Sequence, residues 1–234
     1  MTELYLVRHG ETDWNRQRRI QGLTDIPLNE TGRAQARATG ALLSRRSWDA
    51  VYASPLSRAR ETASIIAAEL GLPEPTLLDE LVERNYGSAE GLDWMQVETQ
   101  FPHGSEVPGR ESREDVGARV VPALIRLAEE RAGRSLVIVS HGGAIRAVLS
   151  EVEPSQSHGM ITNGSVHSFR LEDGALQLIA FDDPIEVESI GEDCGDLDEQ
   201  NRVEAMEDAR WSLEDRASDP ATGPTELRSG GSAA

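Results

Sequence analysis

Two unbroken apolar runs, residues 4–7 and 136–139, each end on a polar residue followed by a histidine and a glycine. The first run leads into Arg8-His9-Gly10 and the second into Ser140-His141-Gly142-Gly143. Apolar succession without alternation is the pattern of a strand covered on both faces, and such strands belong to parallel sheets wrapped by helices. In those sheets ligands bind in the crevice beyond the carboxyl ends of the strands. Both runs therefore deliver an imidazole to a rim suited to chemistry, and the first brings a guanidinium with it.

The rest of the chain supplies the covering helices. Ala34, Ala38, Ala41 and Leu42 recur at helical spacing behind a cap at Asn29 or Thr31. Residues 49–53 are short and β-like, and Ser54-Pro55 predicts a helix start followed by the stripe Leu56, Ala59, Ala63, Ile66, Ala67 and Leu70. Arg58 then lies in a first helical turn, where the positive end of the helix adds to its own charge and suits an anion. Beyond Pro73 the pattern loosens, and residues 77–83 read as extended or turn-like. Residues 84–115, with Trp94, Met95, Phe101, Pro102 and Pro108, predict a cap over a site with one short helix.

Ser112 and Asp115 resemble a capping box ahead of Val116, Val120, Leu124, Leu127 and Ala128. Pro122 predicts a kink or a restart in that helix, which runs to Arg131. Residues 166–171 and 175–180 flank Glu172-Asp173-Gly174 as a β-hairpin. Alternating strands and helices up to the hairpin imply a three-layer α/β/α sandwich around a mostly parallel sheet.

The net charge of −18 is unevenly spread: residues 184–234 hold 14 of the 41 acidic side chains and 4 of the 23 basic ones. Residues 1–183 are read as one catalytic domain, and residues 184–234 as an acidic, mostly flexible tail with one short amphipathic helix over residues 203–213. Such acidity argues against nucleic acid or an anionic membrane as partner, because both require a basic face. Every basic residue is arginine, so lysine-based catalysis is excluded. Cys194 is alone, which rules out an intramolecular disulfide and fits a reducing compartment. With no signal-peptide pattern and no run of transmembrane length, a cytoplasmic protein is expected.

Five blocks in order carry a family resemblance. They are Leu-Val-Arg-His-Gly-Glu-Thr at residues 6–12 with Asp13, Trp14 and Asn15; Arg-Ile-Gln-Gly at 19–22; Tyr52 to Ala63; Glu83 to Gly91; and Ser-His-Gly-Gly at 140–143. Together they resemble the histidine phosphatase superfamily, the phosphoglycerate mutase-like enzymes. The resemblance implies His9 as nucleophile, with Arg8, Arg58 and His141 around the phosphate and Glu83 as general acid. Asn15, Gln21, Gly22 and Gly142 are implied as secondary phosphate contacts, with a further backbone donor at Gly143. No cofactor and no metal are implied.

The chemistry fits these residue types. Phosphoryl transfer needs an in-line nucleophile, cations around the equatorial oxygens and a proton donor for the leaving oxygen. Arginine's planar fork matches phosphate oxygens and keeps its charge near neutrality. One imidazole nitrogen can attack while the other is fixed by a hydrogen bond, here expected to reach the backbone near Gly10. Glu83 would protonate the leaving oxygen and then activate water. Competing structural readings are an Arg58 ion pair with Glu61, a Glu83 ion pair with Arg84, and packing roles for Trp14, Tyr86 and Trp94. His103, His158 and His167 are read as ordinary polar residues.

The resemblance separates two branches. Mutases of the family have a longer insertion between the acid and the second histidine, with paired arginines and a lysine where this chain has Trp94. Here only the separate Arg110 and Arg113 occur. A metal-independent phosphomonoesterase acting on a small phosphorylated metabolite is the leading expectation. A phosphoglycerate mutase is one alternative, and a phosphate-binding regulatory module whose tail recruits a partner is another. A homodimer is left open.

Overall fold

A computed structural model describes residues 1–182, so the acidic tail and the short helix expected over 203–213 lie outside the described residues. The strands are β1 (Thr2–Arg8), β2 (Ala50–Ala53), β3 (Thr76–Leu77), β4 (Ser135–Ser140), β5 (Val166–Glu172) and β6 (Ala175–Ala180). The helices are α1 (Asp13–Arg16), α2 (Glu30–Leu43), α3 (Ser57–Glu69), α4 (Trp94–Gln100), α5 (Arg113–Glu130) and α6 (Gly142–Val152). One sheet runs in the order β3-β2-β4-β1-β5-β6, parallel across its first four strands and antiparallel at β5 and β6. The mostly parallel α/β fold is as the residue pattern implied.

Side-chain alternation divides the core into two layers. Leu4 and Leu6 of β1, with Leu136 and Ile138 of β4, pack with Val116, Val120 and Leu124 of α5 and Ile145 and Val148 of α6. Tyr5, Val7, Val137 and Val139 point the other way, onto Leu43 of α2 and Ala59, Ala63 and Ile66 of α3. A third, smaller cluster of Ile20, Tyr86, Ala89, Val97 and Val107 forms the core of the cap. Its partly buried neighbours include Trp94 and Phe101. Hydrogen bonds from Ile20 N to Leu92 O and from Gly91 N to Ile20 O bind the cap to the loop after α1.

Three local expectations change. The helix predicted at Ser54-Pro55 begins at Ser57, with Leu56 at the cap position and no side-chain cap from Leu56. Asp25 takes that role from a distance, accepting from Ser57 N at 2.8 Å and Ser57 Oγ at 2.7 Å. Helix α5 does not restart at Pro122 but continues through it, because apolar side chains on both sides of the proline are buried against the sheet. Nor is His167 an ordinary polar residue: it is fully buried, near Ser165 Oγ at 3.0 Å and accepting from Asp182 N at 3.3 Å.

Burial, aided by the nearby Arg146 guanidinium, pushes His167 down to about 3. Unfolding frees it to take a proton below its ordinary value of about 6.5, so the unfolded chain binds more protons in this window. Stability should therefore fall as pH drops from about 6.5 towards 3, by up to about 1.4 kcal/mol per pH unit from this group. Urea unfolding across that range checks the slope, which should become shallower in His167→Gln.

Candidate active site

Strands β1 and β4 are parallel neighbours in register, with Arg8 opposite Ser140. The next residue on each chain is a histidine, so the two imidazoles emerge side by side. Their ring centroids lie 5.1 Å apart, and both rings are buried. His9 Nδ1 is 2.7 Å from the carbonyl oxygen of Gly10. A carbonyl can only accept, so that contact assigns the proton to Nδ1 and leaves a lone pair on Nε2. Arg58 Nε donates to this same Nε2 at 3.3 Å.

The His9 backbone is held from several directions. Asn163 Nδ2 donates to His9 O at 2.9 Å, and Gly10 N donates to Thr62 Oγ1 at 3.1 Å. Gly10 also passes the first turn of α2 so closely that a Cβ there would lie 2.3 Å from Gly32 O. Thr62 falls inside the matched block of residues 52–63, one helical turn after Arg58. Its role is legible only once β1 and α3 are known to be adjacent.

Arg8 and Arg58 are buried with their guanidinium groups directed at backbone carbonyls. Arg8 Nη1 donates to Ile161 O at 2.7 Å; Arg58 Nη1 and Nη2 donate to Thr24 O at 3.0 Å and Gly22 O at 2.8 Å. Gly22 therefore serves the site through its carbonyl, as an anchor for Arg58. The rival pairing of Arg58 with Glu61 does not form, since Glu61 accepts from Arg33 Nε at 2.7 Å. Gln21 Oε1 accepts from Thr12 Oγ1 at 2.9 Å, while its Nε2 is buried with no hydrogen-bond partner among the described residues. Asn15 Oδ1 is engaged in capping α1, accepting from Thr12 N at 3.0 Å.

Glu83 is buried beside the start of α6. Its Oε1 accepts from Arg84 N at 2.7 Å and Ala144 N at 3.1 Å, and its Oε2 accepts from Gly143 N at 3.2 Å. The amide of Gly143, expected to face phosphate, thus turns to the carboxylate, as the positive end of a helix favours. The Arg84 side chain reaches away to Glu111 O at 2.8 Å. His141 Nε2 lies 2.8 Å from Ser54 Oγ, and its Nδ1 is buried without a hydrogen-bond partner among the described residues. Ser54, expected to cap α3, orients the second imidazole instead.

The region's charge is dominated by the two arginines. Burial, then Arg58, then Arg8 hold His9 well below its ordinary value, against the opposing hydrogen bond to Gly10. Burial and then Arg58 do the same to His141. Burial lowers Arg58 itself to about 10, with Glu83 opposing most strongly. The result is two neutral rings facing two cations, a setting that favours an anion with several oxygens. Among the described residues no group of three histidine, cysteine or acidic side chains is placed to hold a metal ion.

A profile of the histidine phosphatase superfamily, branch 1, matches residues 4–184. The chain belongs to this superfamily. It is 43% identical over 152 residues to a Bacillus subtilis protein named as an uncharacterized phosphatase, covering 65% of this chain and 78% of that one. A metal-independent phosphoserine phosphatase from Arabidopsis thaliana matches at 35% over 203 residues, 82% of this chain and 85% of the relative. A 2,3-bisphosphoglycerate-dependent phosphoglycerate mutase from Gloeobacter violaceus matches at 34% over 169 residues, 65% of this chain and 76% of the relative. Among solved structures, a phosphoserine phosphatase variant from Entamoeba histolytica in complex with phosphoserine superposes with a TM-score of 0.68 at 29% identity, over 78% of this chain and 98% of that one.

Within this histidine phosphatase site, the sequence reading missed Arg119, which holds the segment bearing Glu83. It donates to Glu80 O at 2.7 Å, Val82 O at 2.8 Å and Glu83 O at 3.0 Å, and pairs with Glu111 at 2.8 Å. A single 3-10 turn over Asp79–Leu81 leaves the carbonyls of Glu80, Val82 and Glu83 outside any helix or strand ladder, which is why a distant fork is needed. Arg119→Ala should cost roughly 2–4 kcal/mol in urea unfolding, and Arg119→Lys should recover only part of it.

Proposed function

We propose that this chain is a phosphomonoester hydrolase that works through a phosphorylated His9 and accepts a small phosphorylated metabolite. The observation that supports this most is the lone pair on a buried His9 Nε2, fixed by the Gly10 carbonyl on the far side of the ring and flanked by Arg58. In the first step Nε2 bonds to phosphorus while the ester P–O bond breaks, and Glu83 gives its proton to the departing oxygen. In the second step the Glu83 carboxylate takes a proton from water, the hydroxide attacks phosphorus, and the P–N bond breaks to release inorganic phosphate.

Arg8 and Arg58 would neutralise the equatorial oxygens, and Gln21 Nε2 and the Nδ1 of a neutral His141 are buried groups suited to donate to them. An incoming phosphate dianion would also favour the protonated form of Glu83, opposing the effect of its backbone donors. The phosphatase names among the relatives support hydrolysis, and the phosphoserine phosphatases make phosphoserine a first compound to test.

Mutase activity is the second reading, favoured by relatives of that name. The cap residues weigh against it. Arg110 stacks 5.6 Å from the Tyr86 ring centroid, Arg113 lines a groove between α5 and α6, and Trp94 packs on the cap's own cluster. A coupled assay primed with 2,3-bisphosphoglycerate distinguishes the two. A purely phosphate-binding module would lack a chemical group, and every one is present.

Wild-type protein should hydrolyse p-nitrophenyl phosphate in EDTA, and His9→Ala should lower kcat by roughly a thousandfold or more. Activity surviving in His9→Ala contradicts the proposal. The reaction needs neutral His9, whose affinity for protons is depressed. The acid limb of kcat/KM should therefore lie below pH 6.5, and a limb at or above that value contradicts the assignment.

A further inference from the structure

Arg58 aims its Nε at His9 because its other two nitrogens are anchored on the carbonyls of Gly22 and Thr24. Those carbonyls belong to an irregular loop with no strand or helix to set their direction. The loop is instead wrapped around a single carboxylate from the cap. Glu90 Oε1 accepts from Leu23 N at 2.9 Å and Tyr86 N at 3.2 Å; Oε2 accepts from Thr24 N at 3.0 Å and Thr24 Oγ1 at 2.5 Å.

With four donors the carboxylate approaches its full accepting capacity. The approach is close enough to require glycine at residue 22: its φ is +56°, and a Cβ there would lie 2.0 Å from Glu90 Oε1. The Leu23 amide faces the anion, so the Gly22 carbonyl of the same peptide plane points the other way, to Arg58. The Thr24 amide and hydroxyl on Glu90 fix the residue whose carbonyl takes the second guanidinium nitrogen. Glu90 also lies near enough to Arg58 for its charge to oppose the proton loss that burial promotes.

We infer that Glu90 is a positioning residue for the phosphate pocket, acting through residues 22–24 to hold Arg58 against His9, an inference that rests on the phosphatase reading. It links the cap to the site without touching substrate. Glu90→Gln replaces one acceptor oxygen by an NH2 group that meets donors, so the loop must open and Arg58 loses its direction.

A wholly local packing role for Glu90 would change stability alone. The proposed role changes two further quantities. Affinity for orthovanadate, measured by calorimetry, should weaken about tenfold, as expected for one misplaced charge-assisted contact. The acid limb of kcat/KM should move up towards pH 6.5, because a withdrawn Arg58 no longer depresses His9, leaving burial and Arg8 to do so. Simple removal of a negative charge would push that limb down, so the direction is diagnostic.

Thr24→Val, which deletes only the hydroxyl donated to Glu90, should shift both quantities the same way by about two- to fivefold in affinity. It also serves if Glu90→Gln fails to fold, as melting curves will show. Vanadate affinity within about twofold of wild type in the folded variants, or weaker affinity with an unmoved acid limb, overturns the inference alone. Wild-type protein that neither binds vanadate nor turns over overturns the phosphatase reading and this inference together.

Discussion

The site depends on burying two guanidinium groups against two imidazoles. Placing cations out of water is unfavourable unless their donors are satisfied and their charge is balanced. Carbonyls at Ile161, Gly22 and Thr24 satisfy part of the demand, and the Glu83 charge opposes the proton loss that burial imposes on Arg58. Burial first, and the arginine charges after it, hold both histidines well below their ordinary values. On the proposed reading, a phosphoryl group would supply negative charge to this site and bring its phosphorus to the lone pair of His9 Nε2, so that binding and attack would share one electrostatic cause.

That arrangement follows from sheet topology at its centre and from improvised support at its edges. Adjacent parallel strands β1 and β4 bring His9 and His141 together by register alone. Apart from Arg58 on α3, the groups gathered around them come from irregular chain, and each such piece is held by a long-range polar anchor. Arg119 gathers the carbonyls of Glu80, Val82 and Glu83, the first amides of α6 hold Glu83, and Glu90 gathers the amides of Leu23 and Thr24. Asp25, in the same loop, caps α3 and so ties the loop to the helix that bears Arg58. Loop positions that carry chemistry have no ladder to rely on, and side-chain anchors replace it.

Much of this was legible in the sequence where a residue's role is local. Unbroken apolar runs announced β1 and β4, the histidines after them announced the rim, and the ordered blocks brought Arg8, Arg58 and Glu83 into one reading. What escaped was pairing between distant segments. Ser54 has the look of a helix cap, and only the fold shows its hydroxyl at His141. Gly22 lies in a matched block, and only the fold shows its carbonyl accepting from Arg58. Arg119 and Asn163 sit in no recognisable pattern, because their partners are backbone groups far away along the chain, and His167 is set apart only by its burial. The two-residue strand β3 is exposed at the sheet edge and offers no apolar run to detect.

The central claim is that phosphate passes through a covalent bond to Nε2 of His9. Mass spectrometry of enzyme quenched in alkali during turnover, where phosphohistidine survives, addresses it directly. The account predicts a phosphate on the Nε2 of His9 that disappears as substrate is exhausted. Phosphate on His141, or sustained turnover with no histidine modified, would contradict it.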